Sequence, residues 1–185
     1  MNAIHALFGP RVRPPRMLTC LLVSVIVAET CPTTPSEIVS GLWVGGIDSC
    51  QHSQFDLVVS AALTSELESS CQGSLRLELS DQGTENISLY LDRVSDVITK
   101  FFDSNPEGRV LVHCVQGRSR SPSLLLAYLV KGRNMDLKEA WALVKQKRPC
   151  VRPRFQFFEQ LMEFERRIRG KVTVSHQENY VPINL

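Results

Sequence analysis

A chain of 185 residues, 43% hydrophobic and 22% charged, is long enough for one domain with a substantial core and too short for two full ones. Its formal net charge of +2, without alternation of basic and aromatic residues, excludes nucleic acid as an expected partner. The cysteines at 20, 31, 50, 71, 114 and 150 make no C-x-x-C pair and the four histidines add no metal spacing, so no metal or other cofactor is expected.

Arg11, Arg13 and Arg16 precede an apolar run over 17–28, and no acidic residue occurs before Glu29. Three readings fit this segment: a mitochondrial transit segment, a secretory signal ending near Ala28, or an extension without a targeting role. The run is too short for a standard membrane span, so no transmembrane segment is expected. Cys31-Pro32-Thr33-Thr34-Pro35 reads as a linker, which makes 1–35 an N-terminal extension and 36–170 the folded domain. Ile38-Val39 and Leu42-Trp43-Val44, separated by Ser40-Gly41, predict two short strands around a tight turn. Residues 55–61 and 75–79 predict two more, the second alternating Leu75, Leu77 and Leu79 with Arg76 and Glu78. Ile87, Leu91, Val94, Ile98 and Phe101 recur at helical spacing. A fifth strand follows over 110–113, then helices over 122–131, 137–147 and 155–169, the second of them stopped by Arg148-Pro149. Residues 171–185 form a polar tail that is expected to fray. The expected class is α/β: a central mixed, mainly parallel sheet of about five strands flanked by helices. A domain that buries its own core is not expected to need a disulfide framework.

The chemistry concentrates in His113-Cys114-Val115-Gln116-Gly117-Arg118-Ser119-Arg120-Ser121, between the last strand and the helix containing Pro122. A loop above a helix N-terminus offers backbone N–H groups without intrahelical partners, and these can converge on an anion. Val115 to Ser119 would cradle a phosphate while Arg120 grips two of its oxygens. The same field stabilises a thiolate at Cys114, placed for in-line attack on phosphorus. An isolated cysteine at an apolar strand end is usually a core residue. Set in this motif and this strand–loop–helix context, Cys114 reads as the nucleophile of phosphate-ester hydrolysis.

From Ser36 to Arg169 the chain resembles the small atypical dual-specificity protein phosphatases of the cysteine-dependent tyrosine phosphatase superfamily. The Cys114-to-Arg120 signature carries the resemblance. Ala127-Tyr128-Leu129-Val130, Glu139-Ala140, Lys147-Arg148-Pro149, Phe158-Glu159-Gln160-Leu161 and Leu42-Trp43-Val44-Gly45 are similar to further family landmarks. Arg154 departs from it, since the family usually has asparagine after that proline.

The resemblance implies hydrolysis of phosphate monoesters on protein tyrosine and serine/threonine through a cysteinyl-phosphate. Position alone leaves Asp81 either a turn or capping aspartate or a proton donor. The resemblance implies the donor, contributing ~10²–10⁴ in rate, with Glu85 the nearest substitute. It also implies that His113 orders the loop and that Ser121 helps expel the thiolate; a core histidine and a capping serine are compatible with both. Gly117 lets the loop N–H groups approach phosphate without a Cβ between. A basic residue at Arg118 fits relatives acting on phosphoinositides or phospholipids, or simply points to solvent. Phosphorylated proteins are therefore the expected partners, with phosphorylated lipids as the alternative and a non-catalytic phospho-binding module third. A catalytic thiolate needs reducing conditions, which sets the expected address as cytoplasmic, then mitochondrial, with secretion last.

Overall fold

The computed structural model describes residues 31–52, 54–66, 74–82 and 84–175. The candidate targeting segment, Cys20, Cys71 and the tail beyond 175 lie outside these residues. Strand β1 (Ser36–Val39) and strand β2 (Leu42–Gly45) form an antiparallel hairpin. The short helix α1 (Ser49–His52) leads to β3 (Leu57–Ser60), a 3₁₀ turn (Thr64–Glu66) and β4 (Leu75–Arg76). Helix α2 (Ser88–Ser104) precedes β5 (Val110–His113), and α3 (Arg120–Lys131), α4 (Leu137–Lys147) and α5 (Phe155–Arg169) complete the order.

The sheet runs β1-β2-β5-β3-β4, parallel except for the first pair. Central β5 places Val112 opposite Val44 on one side and Val59 on the other, and all four of its residues are buried. A parallel strand covered on both faces reads as an unbroken apolar run, and Val110-Leu111-Val112 is one. Helix α3 is buried from Arg120 to Val130 and packs against α2, α4 and α5. The loop joining β5 to α3 therefore opens at the C-terminal edge of the parallel strands, where open α/β sheets take ligands.

Four expectations need correction. The strand expected over 75–79 spans only Leu75–Arg76, its last bond to β3 running from the Leu77 N–H to Ser60 O at 2.9 Å; Leu77 and Leu79 stay buried, but the Leu79 carbonyl accepts from Arg120 Nη1 at 2.9 Å. Helix α3 starts at Arg120, two residues before Pro122, so the signature arginine stands in the first helical turn. The beginning of the polar tail is anchored. Buried Glu165 accepts from Leu137 N at 2.7 Å, Thr173 N at 2.8 Å and Thr173 Oγ1 at 2.6 Å, and Val174 is buried. Finally, Cys31 and Cys150 form a disulfide, and Cys50 is disulfide-bonded as well. The core does secure the sheet. It does not reach residues 31–35, which precede β1, and the disulfide fixes these to the α4–α5 connection.

Candidate active site

The site assembles at the end of β5. Cys114 is buried and is the free cysteine among the described residues. Its Sγ accepts from the Gly117 N–H at 3.2 Å and from Ser121 Oγ at 3.2 Å. Two donors on one sulfur suit a sulfur that carries negative charge. Gly117 has φ +65°, and a Cβ there would lie 2.3 Å from the Gly45 carbonyl carbon and 2.7 Å from Gly46 N. Glycine is required by handedness and by contact with β2, a stronger reason than phosphate access alone.

Arg120 is 4% exposed. Its Nη1 donates to Glu66 Oε2 at 2.6 Å and its Nη2 to Glu66 Oε1 at 3.3 Å, a two-point grip by the carboxylate of the 3₁₀ turn. Burial opposes the guanidinium charge, but Glu66 and the Cys114 charge hold its pKa above the usual value. The hydrogen bond from Arg120 in turn holds Glu66 below its ordinary range. Nε of Arg120 is buried with no hydrogen-bond partner among the described residues. A buried N–H without an acceptor is costly, and an anionic oxygen seated at the loop would satisfy it.

His113 is buried, with Nδ1 3.4 Å from the Cys114 carbonyl oxygen. Burial lowers its pKa, which favours the neutral ring. Behind the loop lies a group with no assigned role in the sequence. The Arg148 side chain is buried, and its Nε donates to Gly117 O at 3.0 Å, its Nη2 to Gln116 O at 3.5 Å. The same guanidinium donates to Thr34 O at 3.1 Å and Pro32 O at 3.0 Å. Burial pushes its pKa down while Cys114 opposes that shift.

A cavity of about 540 Å³ opens over Cys114. Val115, Gln116, Arg118, Ser119 and Arg120 line it, as do Asp81 and Glu66. Arg152, Pro153 and Arg154 complete the lining. Asp81 Oδ1 accepts from Ser119 Oγ and from Arg154 Nε, both at 3.0 Å. The expected donor thus reaches the cleft of the expected nucleophile. Glu85 does not line it; its carbonyl accepts from Gln160 Nε2 at 3.2 Å. The residue pattern carried no expectation for Glu66, no role for Arg148 and no pairing of Arg154 with Asp81. Only Arg148 had a local signal, its place at a helix end before Pro149.

The model of the dual specificity phosphatase catalytic domain matches residues 44–167. Human dual specificity protein phosphatase 14 is 43% identical over 100 residues, covering 54% of this chain and 50% of that protein. The protein-tyrosine-phosphatase IBR5 of Arabidopsis thaliana is 34% identical over 144 residues, covering 76% of this chain and 55% of that protein. The chain thus spans about half the length of these curated relatives. Human DUSP28 superposes with a TM-score of 0.66 at 23% identity over 75% of this chain and 97% of that one, a likeness of fold. The human tyrosine phosphatase-like serine/threonine/tyrosine-interacting protein does so with a TM-score of 0.63 at 25% identity, over 72% of this chain and 97% of that one. With two-thirds of its residues inside the family model and the cysteine–arginine loop at its sheet edge, the chain belongs to the dual specificity phosphatase family.

Proposed function

We propose that this chain hydrolyses phosphate monoesters on protein tyrosine and serine/threonine through a cysteinyl-phosphate. Cys114 Sγ attacks phosphorus, the S–P bond forms, and the ester P–O bond breaks. Asp81 gives its proton to the departing oxygen. In the second step water attacks phosphorus with Asp81 now accepting a proton. The S–P bond breaks, and the Ser121 hydroxyl and Gly117 N–H receive the returning thiolate charge. The nucleophile would meet a phosphoryl group held by the loop N–H groups and the Nε/Nη2 edge of Arg120.

One observation carries this reading. The sulfur with two donors and the unpartnered Arg120 Nε belong to the same buried loop beneath an open cleft. Cys114→Ser is expected to abolish turnover while phosphopeptide binding persists, because the loop donors and Arg120 remain. Steady-state turnover and binding measured side by side check this. Substantial residual turnover would exclude the cysteinyl-phosphate route. A panel of phosphotyrosine and phosphothreonine peptides against phosphorylated lipids tests the substrate class, with preference for the peptides expected.

A further inference from the structure

An arginine at the start of α5 has no local purpose. N-cap positions favour Ser, Thr, Asp or Asn, whose side-chain oxygens accept from the first unpaired N–H groups. Arginine has no acceptor, and Arg154 stands at the N-cap, immediately before α5, without a side-chain cap hydrogen bond. The Arg154 side chain, 48% exposed, reaches Asp81 instead, with Nε 3.0 Å from Oδ1. Its backbone N–H donates to Ser119 Oγ at 3.2 Å, and Ser119 donates to that same Oδ1. One residue therefore holds Asp81 twice, through its own guanidinium and through Ser119. Both donors fall on Oδ1, and neither engages Oδ2.

We propose that Arg154 is a positioning residue for proton transfer. It fixes the Asp81 carboxyl, on the segment between β4 and α2, so that Oδ2 is presented to the departing oxygen. The guanidinium also stabilises the carboxylate formed once the proton has left. The inference rests on Asp81 being the proton donor, so its test must separate the two claims.

Arg154→Asn removes the pair and restores a capping side chain, which sets fold against chemistry. Exposed ion pairs add little stability, whereas a good cap adds a measurable amount. The melting temperature of the full chain should therefore rise, by about 2–4 °C. Turnover of a phosphotyrosine peptide, whose leaving oxygen needs a proton, should fall ~10- to 10²-fold. An aryl phosphate with a strongly acidic phenol should change less than about 2-fold, because that phenol departs as an anion. Arg154→Lys keeps one charged donor and should lose less on the peptide than Arg154→Asn. Asp81→Asn should show the same leaving-group split, and the double variant should be no slower than Asp81→Asn alone.

Equal losses on both substrates in Arg154→Asn would overturn the proposal and assign Arg154 to substrate binding. A split in Asp81→Asn with none in Arg154→Asn would overturn it while leaving Asp81 as the donor. Absence of a split in Asp81→Asn would remove the donor itself, and the role of Arg154 with it.

Discussion

At the scale of single residues, Glu66 is the support on which the signature arginine, Arg120, depends. Glu66→Gln keeps the shape and removes the charge, so only part of the fork survives. The expected loss in kcat/KM is ~10-fold or more, the size of a charge-assisted hydrogen bond. Because Arg120 holds the folded Glu66 pKa below its ordinary 4.5, the folded state binds fewer protons than the unfolded chain in that range. The stabilisation is complete above 4.5 and is lost as pH falls through the lower, folded value. Melting temperatures followed into the acid range should therefore fall less steeply in Glu66→Gln than in the parent. Parallel curves would show that the pair contributes no linkage. Glu66 was illegible in the sequence, because its partner is 54 positions away and the turn that brings it there has no apolar period.

Between elements, the decisive contact is the loop against the end of β2. Gly117→Ala would place a Cβ 2.3 Å from the Gly45 carbonyl carbon and force a left-handed backbone on alanine. Left-handed backbone costs about 1–2 kcal/mol and overpacking about 1–3 kcal/mol, so a folded but less stable variant is expected. Its turnover should fall at least ~10²-fold, because the Gly117 N–H leaves the sulfur and the nucleophile shifts. Near-normal activity would show that the loop tolerates another path. The elements themselves were largely readable. Helices α4 and α5 match expectation because the apolar period and the neighbouring prolines agree there, and Asp136 with Glu139 closes a capping box at α4. The strand over 75–79 is shorter than its alternation implies. Alternation reports which face is buried, and Leu77 and Leu79 are; it does not report where the carbonyls bond.

Over the whole molecule, contacts distant in sequence set what sequence reading cannot reach. Cys31 and Cys150 are 119 positions apart, and Arg148 reaches Pro32, 116 positions away. In the chain-entropy account a crosslink closing a loop of this size contributes up to about 4.7 kcal/mol. Cys31→Ser and Cys150→Ser should therefore melt lower than the parent, and a reductant, which also opens the Cys50 disulfide, should lower the parent by more than it lowers the variants. A parent insensitive to reductant would show that residues 31–35 are held by Arg148 alone.

Arg148 also settles the polarity of the loop between β5 and α3. A trans peptide points its carbonyl and its N–H in opposite directions, and no described peptide here is cis. The carbonyl of Gln116 faces Arg148, and the N–H of that same plane, belonging to Gly117, faces Cys114 Sγ. By the same geometry, the Gly117 carbonyl on Arg148 Nε turns the Arg118 N–H the other way. A cation outside the cleft thus orients two peptide dipoles, so that their positive ends face the space an anion would fill.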